Sequence, residues 1–401
     1  MNNKTDSVKS GHQLFGTNLE RAADHNQRVT LHAIRVNKSL TRIELSQITG
    51  LTAPAIANIT KRLLDDNLIL GAGRRHGGRG QPPTNFIINP DARASIGINI
   101  DRDHITFVIV NFVGETLARI SREWAFALPD DVRAFWHESV EVLIADAGIA
   151  RADIVGIGVA SPDDLGLVDL PGRPSQYVEW QNADIAALFA EPLDLPVFVE
   201  NDAAAAAMGE LQLGQGQQYP SFFYILISFA LGGGLVIDGT YFRGATGRSG
   251  ELGFMGPFAK DGQQDQIQTR VSLSGLQHEF DSLGLAVLDE RGDPAEHVKR
   301  ETAAARWIVR SVQDLFEPLV AINCLINPAA ILIGGRLPAD YVDRLAAALQ
   351  EKLHNTAARI PSHSPVLRAT LAADAPAVGA AILPFSHFLL PKSSALWKIE
   401  K

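Results

Sequence analysis

The sequence predicts an α/β protein with an N-terminal winged helix-turn-helix followed by two α/β lobes around a cleft. Three observations carry this expectation. Residues 1–90 hold 12 Lys and Arg against 6 Asp and Glu, whereas the other residues hold 24 against 39, so a basic module precedes an acidic body. Parts of one chain with opposite charge usually meet different partners. Helix, glycine turn, helix and basic hairpin turn follow in order between Asn26 and Pro90. Beyond Pro90, strand and helix patterns alternate in two successive runs.

Composition bounds the answer further. At 401 residues and 46% hydrophobic, the chain suits two or three domains, each with its own core. The one cysteine, Cys324, excludes an intramolecular disulfide and any cysteine-cluster zinc site, and it fits a reducing compartment. The opening "MNNKTDSVKSGHQLFG" has no apolar core of the secretory kind, and stretches such as "VGIGVA" are too short to span a bilayer. A cytoplasmic protein without a membrane partner is expected.

Residues 1–25 are polar and read as a flexible or loosely docked arm. Residues 26–90 read as the winged helix-turn-helix. Val29, Ala33 and Val36 form one helical stripe, with Leu31 and Ile34 beside it. Thr41 and Glu44 have capping-box spacing, each side chain serving the other's free amide. Leu45, Ile48 and Leu51 continue the apolar face, and Gly50 breaks the helix. Thr52 caps a third helix with Pro54 in its first turn, and Ile56, Ile59 and Leu63 face inward. "LIL" and "TNFIIN" are the strands of a hairpin around "GAGRRHGGRGQPP".

A recognition helix needs an outer face that fits the major groove. Here that face offers Thr52, Ala55, Asn58, Lys61 and Arg62. Asn58 suits bidentate pairing with adenine, and the Ala55 methyl suits a thymine methyl. Lys61 and Arg62 suit phosphates, which set register rather than sequence. An ordinary solvated face explains Asn58 alone equally well, but explains the whole face with its wing less well. In the wing, Arg74, Arg75 and Arg79 alternate with glycines that let the backbone approach a narrow minor groove. The expected partner is a double-stranded DNA operator with an inverted repeat, bound by a homodimer or higher homo-oligomer.

After Pro90, "RASIGINI", "HITFVIVNFVGETLARI", "DIVGIGVA" and "PVFVEND" read as strands of a first lobe over 91–205. "SFFYILISFALGGGLVIDGTYF", a helix over about 300–326 and "AAILIGG" begin the second, over 206–401, with the C-terminal helix packing back on the first. The two halves resemble actin-like, ribonuclease-H-type lobes.

The chain resembles ROK-family transcriptional repressors from about residue 12 to 388. The resemblance rests on the N-terminal module and on "GIGVASPDDLG", "VFVENDAAAAAMGE", "ALGGGLVIDGTYFRGATGRSGELG" and "AAILIGG" taken together. It implies a sugar-kinase-derived body with a small sugar or sugar-derivative effector in its cleft. Asn201 and Asp202 match the kinases' Asn-Asp pair, whose Asp is the general base. Glu251 matches a glutamate that contacts sugar hydroxyls. Capping of the following helix is the bland role for Asn201 and Asp202.

Three departures qualify the resemblance. "NIDRDHI" stands where the kinases carry a glycine-rich phosphate loop, so the side chains of Asp101, Arg102 and Asp103 crowd the place where amides must approach phosphates, and the two carboxylates repel them. No catalysis, no nucleotide cofactor and no metal are therefore expected. Phe254 replaces the usual zinc histidine, and the zinc cysteines are absent. The apolar Phe254 also changes the pocket, for which Glu279 is a candidate substitute ligand. Gly232, Gly233 and Gly234 read as a tight turn at the cleft, and Gly334 and Gly335 as fold-preserving. An active sugar kinase with an added DNA module, and a regulator with a vestigial cleft run by a protein partner, are the competing readings.

Overall fold

The computed structural model describes residues 19–74, 84–168, 172–257, 265–285, 287, 294–355 and 360–391. They fall into two compact units: the residues up to Asn89 with a short piece from Leu389, and Pro90–Phe388.

The first unit contains α1 (Leu19–Asn37), β1 (Leu40–Thr41), α2 (Arg42–Thr49), α3 (Ala53–Asp65), β2 (Ile69–Arg74) and β3 (Thr84–Ile88). Its antiparallel sheet runs β1-β3-β2, with Leu40 opposite Phe86 and Ile69 opposite Ile88. Local chemistry sets the helix ends. The Thr41 amide donates to Glu44 Oε2 at 2.7 Å while the Glu44 amide donates to Thr41 Oγ1 at 3.3 Å, a complete capping box. Gly50, at φ 69°, closes α2 in the left-handed region and donates to the Ser46 carbonyl. Thr52 caps α3 by accepting from the Ala55 amide.

Leu31, Ile34, Leu45, Ile56 and Leu63 form the floor of this unit, none more than 1% exposed. The pattern departs from expectation at several places. α1 begins at Leu19, so part of the expected arm over 1–25 is helix. Val36 is 46% exposed, because it lies in the last turn of α1, just before the chain turns at Lys38. Ile48 is 54% exposed; the inner face of α2 runs through Leu45 and Thr49, four residues apart, and Ile48 is rotated off it. Ile59 is half-buried, and Thr60 takes the inner position, accepting from Arg42 Nε and donating to the Ile56 carbonyl.

The second unit holds two sheets of the same design. The first combines β4 (Ala94–Ile100), β5 (His104–Asn111), β6 (Thr116–Glu123), β7 (Ile154–Ser161) and β8 (Val197–Asn201), in the order β6-β5-β4-β7-β8. Between them lie α4 (Pro129–Ala147) and α5 (Ile185–Ala190), and α6 (Asp202–Leu213) follows β8. The second combines β9 (Phe222–Ile227), β10 (Leu231–Ile237), β11 (Thr240–Tyr241), β12 (Ala330–Gly335) and β13 (Val366–Arg368), in the order β11-β10-β9-β12-β13. With it go α7 (Leu273–Asp281), α8 (Pro294–Leu325), α9 (Ala339–Asn355) and α10 (Ala375–Phe388). In each sheet three antiparallel strands are followed by two parallel ones. This is the actin-like, two-lobed architecture. Strands β4, β5 and β9 are buried along their whole length, which explains why they are mostly apolar on both faces.

Helix α10 packs on β4 and β7 of the first sheet and against α6. A Cβ at Gly158 would lie 1.8 Å from the Ala380 carbonyl oxygen, and one at Gly97 would lie 1.9 Å from that of Ala377. Only glycine permits this approach. The lobe boundary expected at 205/206 falls inside α6, because the alanine run from Ala203 to Ala207 is one continuous buried helix. The C-terminal piece from Leu389, expected in the second lobe, groups instead with the first unit, and Leu390 is buried.

Gly158→Ala should lower stability by about 1–3 kcal/mol in urea unfolding, because α10 must shift to admit the methyl. A variant as stable as the parent would contradict backbone contact at this crossing.

Candidate functional site

In the first unit, α3 presents Thr52, Asn58, Lys61 and Arg62 to solvent, with Ala55 half-buried. The Thr52 hydroxyl is engaged in the cap, so its role on this face is structural first. Asn58 makes no side-chain hydrogen bond among the described residues. Arg74 ends β2. Arg75 and Arg79 lie outside the described residues.

The second unit carries a polar cavity between its sheets, lined by Arg102, Asp163, Asn201, Asp202, Arg248, Glu251 and Phe254 among others. It measures about 40 Å³, space for a few waters but not for a hexose. Asn201, Asp202 and Glu251 are therefore brought together. Asn201 ends β8 and is the N-cap of α6, accepting from the Ala204 amide at 3.1 Å. Asp202 is the first helical residue, 8% exposed, with Oδ1 accepting from its neighbour's amide, that of Ala203, at 2.8 Å. Capping and cavity lining are thus compatible roles. Burial pushes the Asp202 carboxyl up to about 7, the Asp101 carboxylate adds to the rise, and Arg102 and the Ala203 amide oppose it.

Glu251 is already partnered. It accepts from Arg248 Nε at 2.9 Å, while Arg248 reaches Asp164 at 2.7 Å and lies 3.7 Å from Asp163. Asp163 follows β7 in the first lobe and Arg248 belongs to the second, so this side chain ties the lobes across the cavity. Hydrogen bonds to Asp164 and Glu251 hold the Arg248 guanidinium above its ordinary value. Burial raises Asp163, Arg248 opposes this, and the carboxylates of Glu251, Asp164 and Glu200 reinforce it. Nothing in the sequence alone marks Asp163, Asp164 or Arg248; charged residues inside "GATGRSGELG" and directly after a strand are the available signal.

The loop that joins β4 to β5 is filled by the protein's own ions. Asp101 accepts from the Arg102 amide at 2.7 Å, and Asp103 meets His104 Nδ1 at 2.7 Å. Arg336, directly after Gly335 on β12, donates to Asp103 at 2.7 Å and pairs with Glu123. Burial alone would raise Asp103, but the His104 hydrogen bond and the His104 and Arg336 charges outweigh it and hold the carboxyl low. Gly232, Gly233 and Gly234 do not form a turn. They lie in β10, paired with Leu226, Ile225 and Tyr224, and make room for α6 and Gly250. Gly335, at φ 118°, faces the Ile227 carbonyl, a packing role. Glu279 pairs with Arg310 and does not line the cavity. Phe254 lines it and offers no metal donor, and the one cysteine, Cys324, lies on α8, so the donor set does not fit zinc.

Comparison with known proteins places these features in context. The model described as "ROK family" matches residues 95–386. Protein y4fQ of Sinorhizobium fredii is 30% identical over 365 residues, covering 90% of each chain. The xylose repressor of Bacillus subtilis is 23% identical, covering 91% of this chain and 96% of its own. A crystal structure of a ROK family transcriptional regulator, a homologue of E. coli Mlc, superposes with a TM-score of 0.64 at 21% identity, covering 91% of this chain and 97% of that one. A ROK family glucokinase from Streptomyces griseus, with glucose and AMPPNP, gives 0.55 at 23% identity over 72% of this chain and 98% of that one.

The Asp202 carboxyl makes stability depend on pH. The folded state keeps this proton until about pH 7, whereas the unfolded chain releases it near about 4. Its contribution is full below that lower value and is lost as pH rises through 7. Asp202→Asn should gain on the parent by about 2–4 kcal/mol between acid and mildly alkaline pH in urea titrations. A pH-independent difference would place the proton elsewhere.

Proposed function

The chain belongs to the ROK family, and on that premise we propose that it is a sequence-specific DNA-binding regulator, a repressor, of carbohydrate-metabolism genes. In this reading its cleft binds a sugar or sugar derivative without phosphorylating it. The observation that carries the reading is the Asp103–Arg336 pair, an internal ion pair where a kinase would receive phosphates. A nucleotide would have to displace a nearly buried guanidinium and meet Asp101 and Asp103. Relatives named xylose repressor, similar over nine-tenths of the chain, support the same reading.

Asn201, Asp202 and Glu251 supply the paired acceptors and donors that vicinal hydroxyls require. Thr52, Ala55, Asn58, Lys61 and Arg62 form the major-groove face, and Arg74, Arg75 and Arg79 enter the minor groove. A homodimer on an inverted repeat fits the two-fold logic of helix-turn-helix proteins. A sugar that prefers one lobe arrangement shifts its population, and the shift alters operator affinity. The kinase reading has one observation in its favour: Asp202 stands where a general base would, with a carboxyl that titrates near 7.

Two measurements separate the readings. Asn58→Ala should weaken binding to DNA selected from a random pool by about 1–3 kcal/mol, with little change on unselected DNA. Equal losses on both would remove Asn58 from base reading. No ATP-dependent phosphorylation of hexoses is expected; turnover in the ordinary kinase range of about 1–100 per second would favour the enzyme.

A further inference from the structure

The cleft is short of positive charge. Five carboxylates surround the cavity or contact its lining: Asp101, Asp163, Asp164, Asp202 and Glu251. Two guanidiniums, Arg102 and Arg248, face them. Glu200 nearby is separately paired with Arg243.

Two side chains that line the cavity keep hydrogen-bonding capacity that no protein group uses among the described residues. Asp202, more than nine-tenths buried, uses Oδ1 for the Ala203 amide, and its Oδ2 accepts nothing among the described residues. The Arg102 guanidinium, on a residue 5% exposed, makes no hydrogen bond among the described residues and lies 3.9 Å from Asp101. Polar atoms that face a cavity in this condition take water or a ligand's polar atoms. Burial, with too little neighbouring cation, raises both Asp202 and Asp163, as expected where positive charge is lacking.

Arg248 is the occupant to be displaced. Its side chain is 38% exposed and its guanidinium sits among Asp163, Asp164 and Glu251. It is one of the residues that line and narrow the cavity. Because the chain is partly exposed, the guanidinium has a path to solvent. Its departure strips three carboxylates of their cation. A neutral polyol cannot restore that charge, whereas a protonated amine can.

We propose that the cleft ligand is a polyhydroxylated amine, an amino sugar in the simplest case, whose ammonium replaces the Arg248 guanidinium between Asp164 and Glu251. Its hydroxyls meet Arg102, Asn201 and Asp202. This rests on the sugar-binding reading above and narrows it to one chemical class.

The test is calorimetric titration of the full chain below neutral pH, where the amine is protonated. The probes are glucosamine, galactosamine and mannosamine, each beside its parent hexose and its N-acetyl derivative. At least one amine should bind tenfold or more tightly than both neutral counterparts, about 1.4 kcal/mol. Asp164→Asn with Glu251→Gln should erase that preference, and Arg248→Ala, which removes the internal competitor, should tighten amine binding. A neutral sugar that binds as tightly as its amine overturns the proposal and leaves the sugar reading standing. Absence of binding by every probe overturns both.

Discussion

Helix α10 lies on the first sheet backbone to backbone, and the position of the cleft residues depends on that contact. Gly97 and Gly158 leave no side chain between sheet and helix, and Gly379 on α10 meets the Ala205 carbonyl of α6 in the same way. Helix α6 is held on its other side by β10, where Gly232 and Gly234 admit Ala203 and Ala207. The start of α6 is thereby fixed at the bottom of the cleft. Asn201 and Asp202 occupy that start, so the packing that orients Asp202 also removes it from water and raises its carboxyl.

The second constraint is electrostatic. A desolvated charge needs a partner, and removing one partner of a buried pair is far more costly than never forming the pair. At the loop between β4 and β5 the chain pairs its own groups: Asp103 with His104 and Arg336, and Asp101 beside Arg102. Around Asn201 and Asp202 the balance is incomplete, and Arg248 serves three carboxylates at once. One half of the cleft is therefore paired internally, while in the other a single guanidinium is shared among three carboxylates.

The N-terminal helices were legible because caps and breakers are local: Thr41 with Glu44, Gly50, and Thr52 with Pro54 act within one or two turns. The two-lobed body was legible from its fully buried strands, whose apolar runs have no second explanation. Asn201, Asp202 and Glu251 converge on one cavity because they end a strand, start a helix and lie in a glycine-rich loop. Arg248 and Arg336 were not legible, since their partners lie far away in sequence and no spacing rule links position 103 to 336 or 164 to 248. Val36 misled because the last turn of α1 runs out into solvent, and Ile48 because an eight-residue α2 buries one narrow face and leaves an apolar residue off it in water. The glycines of β10 misled because a glycine run suits a turn and a strand that must touch a helix equally well.

The measurement that bears most directly on the whole is operator affinity of the full chain with and without its cleft ligand, in the parent and in Asp202→Ala. Coupling between cleft and DNA module of about 1–3 kcal/mol corresponds to about a 5–150-fold change in the parent. The variant should bind operator as the parent does without ligand and should show no change when ligand is added. A variant that still responds fully, or a parent whose operator affinity is indifferent to a ligand bound in the cleft, would contradict the assignment of this cleft as the sensor.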